Sequence, residues 1–111
     1  MNYENTRVTT IIAKTGNYLN EPIPGSKEAI HAHVRGLERL GFELLEVRVD
    51  WQMLLDEKKA QNLHPKDAHL TEMDRKVDLN ARIANIERDV SFLKGLETLV
   101  AQRIDIARSL Y

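Results

Sequence analysis

Apolar residues along this chain recur every three or four positions. From Ile30 the series His33, Leu37, Leu40, Leu44, Val47, Trp51 and Leu54 alternates those two spacings, the a/d pattern of a helix packed along its length. A second series, Leu79, Ile83, Ile86, Val90, Leu93, Glu97, Val100, Ile104 and Ala107, repeats the pattern in the C-terminal half. The stretch QNLHPKDAHLTEMDRK separates the two. There Asn62 can end one helix, Pro65 cannot continue it, and Asp67 or Thr71 can cap the next, with Thr71 and Asp74 a variant of the capping box. So short a connection predicts two helices side by side and antiparallel. The predicted fold is all-α: helices over about 26–62 and 67–110, forming a hairpin domain over 26–111.

The start of the first helix is well marked, because Ser26 stands directly before KEAIHAHVRGLERL and its hydroxyl can accept from an orphan N–H of the first turn. Glu28 suits the positive helix end. The middle is contested. Gly41 could cap a shorter helix, after which FELLEVRVDW alternates Leu45, Val47, Val49 and Trp51 with charged residues, as a strand over 42–50 would. The continuous helix is the preferred expectation, since it needs only to carry Gly36 and Gly41 at about 1 kcal/mol each relative to alanine. Residues 1–25 have the weakest pattern. Thr9, Thr10, Ile11 and Ile12 suggest at most a short strand, and Pro22, Pro24 and Gly25 do not suit a helix, so an irregular N-terminal arm is expected there, partly extended or disordered.

The two helices carry more apolar surface than one seam can hide. Phe92, Leu96, Leu99, Ile106 and Leu110 broaden the stripe of the second helix to an arc on the order of 160°, and Phe42, Leu45 and Val49 flank the seam of the first. A lone hairpin would leave such patches in water, which soluble monomers seldom do. The expectation is a homodimer or higher oligomer, most simply two hairpins forming a four-helix assembly, with Trp51 and the flanking residues as candidate interface positions. The competing expectation is a compact monomer in which the first helix breaks and folds back.

Composition narrows the function classes. At 111 residues, 42% hydrophobic, 30% charged and 5% aromatic, the chain suits one helical domain better than a β-sandwich. The net charge of -1 comes from evenly mixed signs, so no broad basic footprint for a nucleic acid stands out. Arg75, Lys76, Arg82 and Arg88 offer a thin basic line, diluted by Asp74, Asp78, Glu87 and Asp89, which keeps a nucleic-acid-associated role as the alternative. The absence of cysteine excludes disulfides and thiolate chemistry. MNYENTRVTTIIAK lacks the basic start and apolar run of a secretory signal, and no apolar run nears the roughly 20 residues that span a bilayer, so a cytoplasmic protein without membrane contact is expected.

Catalytic and metal signals are weak. His31 and His33 are two apart and point to different helix faces, while His64 and His69, even with Asp67, match no established zinc spacing. No phosphate-binding glycine loop, nucleophile elbow or H-E-x-x-H motif occurs. The expectation is therefore a protein with no cofactor and no catalytic residue: an oligomeric helical adaptor, assembly factor or regulator whose partners are itself and an unidentified protein.

Overall fold

The computed structural model describes the backbone of residues 3–63 and 70–110 and the side chains of residues 6–61 and 76–110. Three helices follow one another: α1 (Tyr3–Asn20), α2 (Lys27–Leu63) and α3 (Leu70–Arg108). No strand occurs among the described residues. The strand alternative at 42–50 is overturned by the pattern of burial. Val47 and Trp51 are buried while Leu45 and Val49 are exposed, although a strand would place all four on one face. Leu37, Leu40, Leu44, Val47 and Trp51 are all nearly inaccessible, and their spacings of three and four are those of a helix face.

The N-terminus of α2 forms as its sequence predicts: Ser26 Oγ accepts from the Ala29 N–H at 3.2 Å. The turn expected at Asn62 to Lys66 lies largely outside the described residues, as do His64, Asp67 and His69. α2 and α3 run antiparallel, since Glu38 pairs with Arg108, Arg48 with Glu97, and Lys59 with Glu87. Their seam contains nearly all the predicted residues. One departure comes at its far end, where Leu55 is buried and Leu54 only partly so. A straight helix drifts about 20° per heptad from a strict seven-residue repeat, so after three heptads the contact passes to the next residue.

The irregular arm expected over 1–25 is a correction: Tyr3–Asn20 is an 18-residue helix. Val8, Ile11 and Thr15 are buried at helical spacing, and Ile12, Tyr18 and Leu19 pack on the same core. The β-branched run that suggests extension is overridden by this packing, as propensity commonly is. Thr15 is fully buried without leaving a polar group stranded, because its hydroxyl donates to the Ile11 carbonyl at 2.7 Å. The helix ends at Asn20, two residues before Pro22, and Glu21 to Ser26 link it to α2.

α1 runs antiparallel to α2. Arg7 reaches Asp50, Lys14 reaches Glu43, and Tyr18 lies against Gly36. It is about half as long as either partner, so it covers only one half of the pair, and the Lys59–Glu87 pair belongs to a two-helix extension beyond it. The whole measures 65 × 23 × 14 Å.

Two glycines inside helices have opposite reasons to be there. A Cβ on Gly36 would stand 2.8 Å from the Tyr18 hydroxyl oxygen and 3.0 Å from its ring, so alanine there forces the Tyr18 ring aside. A Cβ on Gly95 meets nothing within 4 Å. Gly95→Ala is expected to raise stability by about 0.8–1 kcal/mol through helix propensity alone, and Gly36→Ala to lower it. Chemical denaturation of the two variants checks the opposite signs; stabilisation by both would mean that Tyr18 does not press on α2.

Candidate functional site

Among the described residues, three surface features offer material for a site: outward apolar stripes, a charged cleft beside α1, and a polar junction at the C-terminal end of α1.

The stripes come from the predicted interface residues, which the structure divides. Trp51 and Leu96 are buried at 4% and 8% exposure, so they belong to the core and are withdrawn from any surface. Phe42, Leu45, Val49, Phe92, Leu99, Ile106 and Leu110 are exposed. Met53 extends the α2 group, giving Phe42, Leu45, Val49 and Met53 at steps of three and four, one continuous stripe. Sequence reading overlooked Met53 because it falls outside the a/d series, though its place four residues after Val49 was available. At 100° per residue, Val49 sits about 140° round the helix from Leu44, and Ile106 about 140° from Leu93. Each stripe therefore lies on the outer side of its own helix. On α2 the stripe turns away from Glu43 and Asp50, which reach α1, whereas on α3 it lies beside Leu96 and Arg103, on the α1 side. The two stripes consequently occupy opposite sides of the α2–α3 pair.

The cleft lies between α1 and α2, holds about 440 Å³ and is lined by Thr6, Arg7, Thr10, Ile11, Lys14, Glu43, Glu46 and Val47. Its cations are already engaged: Arg7 with Asp50 at 2.6 Å and Glu46 at 3.6 Å, and Lys14 with Glu43 at 2.8 Å. These are partly exposed pairs of modest strength, and they hold α1 in register more than they shape a reactive centre.

At the polar junction, Arg103 of α3 donates from Nε to His33 Nε2 at 3.4 Å, from Nη1 to the Leu19 carbonyl at 3.2 Å, and from Nη2 to the Glu21 carbonyl. One guanidinium thus ties α2 and α3 to the last turn of α1, where helix carbonyls lack intrahelical donors and a cation suits the negative end of the dipole. His33 is 9% exposed, and its ring centroid lies 6.4 Å from that of Tyr18. Burial holds the His33 pKa below its ordinary value, Arg103 pushes it the same way, and Glu21 opposes. The seam series includes His33, but sequence alone gives no hint of Arg103 as its neighbour 70 residues away.

The basic line is dispersed. Lys76, Arg82 and Arg88 are exposed, but they stand six residues apart, and six steps of 100° point successive side chains about 120° away from one another. The side chain of Arg75 lies outside the described residues. Among the described residues no group of three or more His, Asp or Glu is placed to hold a metal ion, and no helix is long and apolar enough to cross a membrane.

Comparison with protein-family models, with curated proteins and with solved structures finds no match.

Proposed function

We propose that this chain is a non-enzymatic, self-associating interaction module: a small helical adaptor, assembly factor or regulator that acts in the cytoplasm through its helix faces. The observation that carries this reading is the pair of outward apolar stripes, which persist even after α1 has covered one half of the α2–α3 pair. Phe42 at 72% exposure and Met53 at 66% are large apolar side chains left in water without a local reason. Burying each such group is worth roughly 1.5–3 kcal/mol, so a symmetric contact that covers one stripe from each of two copies gains several such terms. Because the stripes are on opposite sides, one two-fold interface covers only one of them. The other remains available to a different protein, which is the geometry an adaptor requires. The nucleic-acid reading has less support, since Lys76, Arg82 and Arg88 do not share a face of α3.

The test is light scattering coupled to size exclusion, with the expected mass twice the 12.8 kDa of one chain. Phe42→Glu with Val49→Glu charges one stripe, and Leu99→Glu with Ile106→Glu charges the other. All four positions are exposed, so the helical circular dichroism should survive. One pair of substitutions is expected to return the protein to single-chain mass and the other to leave it dimeric. A wild-type protein that stays at single-chain mass at every concentration would sink the proposal.

A further inference from the structure

We propose that His33 and Arg103 form a proton-controlled latch on the C-terminal end of α1, so that mild acidification releases this helix and uncovers the half of the α2–α3 pair beneath it. Arg103 is the only residue among those described whose side chain is bonded both to His33 and to the backbone at the end of α1. Its bond to His33 requires a lone pair on Nε2, which exists only on the neutral ring. A proton there removes the acceptor and sets an imidazolium against a guanidinium in a part-buried site. The relief is for Arg103 to turn outward, and the Leu19 and Glu21 carbonyls then lose their donor.

The other fastenings of that end among the described residues are apolar, with Thr15 fully buried there. The ion pairs of α1, from Arg7 and Lys14, lie in its first two-thirds and are partly exposed. Past them, the Tyr18 ring sits in the space left by Gly36, and Leu19 packs on the core. The charged and titratable groups facing His33 are Arg103 from α3, and Tyr18 and Glu21 from α1 and the segment after it. Glu21 favours the imidazolium, yet burial and Arg103 outweigh it, and the His33 pKa is lowered from 6.5.

The sign follows from linkage. A histidine whose docked pKa lies below its free value keeps α1 in place above about pH 6.5, and docking weakens as pH falls through that value toward the docked pKa. Each pKa unit between the docked and released states multiplies the released fraction about tenfold once the pH is below both.

Trp51 is the single tryptophan, is buried in the core that α1 helps to close, and can serve as the donor for energy transfer to a thiol dye on Thr9→Cys, an exposed position in a chain without cysteine. With labelled protein diluted into unlabelled protein, transfer is expected to drop between pH 7.5 and pH 5, roughly the span over which a histidine titrates. The same drop should be absent in His33→Gln, whose side-chain amide can accept from Arg103 but takes up no proton. Equal transfer at both pH values, or an equal drop in His33→Gln, overturns the latch. Should the variant fold poorly, a proton NMR titration of the wild type decides: the His33 ring and the α1 amides must move with one midpoint, and separate midpoints reject the coupling.

Discussion

Leu93→Ala is expected to lower the unfolding free energy by about 2–5 kcal/mol, the range for truncating a fully buried leucine, and to lower the melting temperature by at least about 10 °C. Leu93 is 0% exposed and belongs to the same core cluster as Leu40, Leu44 and Val100 of the α2–α3 seam and Val8 and Ile11 of α1. Removal of its isobutyl end leaves space that rigid helices on three sides cannot close by collapsing, so the cavity adds to the lost transfer energy. Leu99→Ala supplies the contrast. It removes the same atoms six residues further along, but Leu99 is 48% exposed, and within one chain the change should stay below about 1 kcal/mol. Urea denaturation at low protein concentration separates the two. If Leu93→Ala unfolds within 1 kcal/mol of wild type, the three-helix core is packed differently from the structure described.

A second large effect is expected at the Arg48–Glu97 pair. Glu97 occupies a seam position that apolar spacing would assign to a leucine, and Arg48 reaches it across the seam at 2.5 Å, with exposures of 24% and 22% for the two side chains. Arg48→Ala leaves a carboxylate in the seam with its partner gone. For fully buried pairs this costs about 3–5 kcal/mol, and the remaining contact with water reduces it here to about 1–2 kcal/mol. Arg48→Met combined with Glu97→Leu should recover most of that loss or exceed wild-type stability, because an apolar pair of similar volume avoids desolvating two charges. What the double variant gives up is specificity: a slipped register no longer strands a charge. The coupling energy from the full double-mutant cycle measures the pair directly, and a value near zero would mean that Arg48 and Glu97 are solvated independently.

Much of the architecture is legible in the sequence itself. The spacings of three and four in α2 and α3 mark the face each helix buries, and Ser26 marks where α2 begins, because both signals depend only on residues a turn or so apart. The excess of apolar residues over what one seam can bury was visible in the same way. Of the residues proposed for an interface, Phe42, Leu45, Val49, Phe92, Leu99, Ile106 and Leu110 are exposed, whereas Leu96 is in the core, as is Trp51, which the a/d series also places on the seam. Leu96 and Leu99 look alike on a helical wheel, and what separates them is their place relative to a third helix that the N-terminal sequence does not announce.

Local order along the chain determined the helical period, the cap at Ser26 and the surplus of apolar side chains, since these follow from backbone geometry and the hydrophobic effect acting on near neighbours. Tertiary contact decided the rest. It made residues 3–20 a helix by burying Val8, Ile11 and Thr15, explained Gly36 by the ring of Tyr18, and brought Arg103 to His33 and to the end of α1. Each of these outcomes depends on residues far apart in sequence meeting in space, where burial energy outweighs the local preference of the chain.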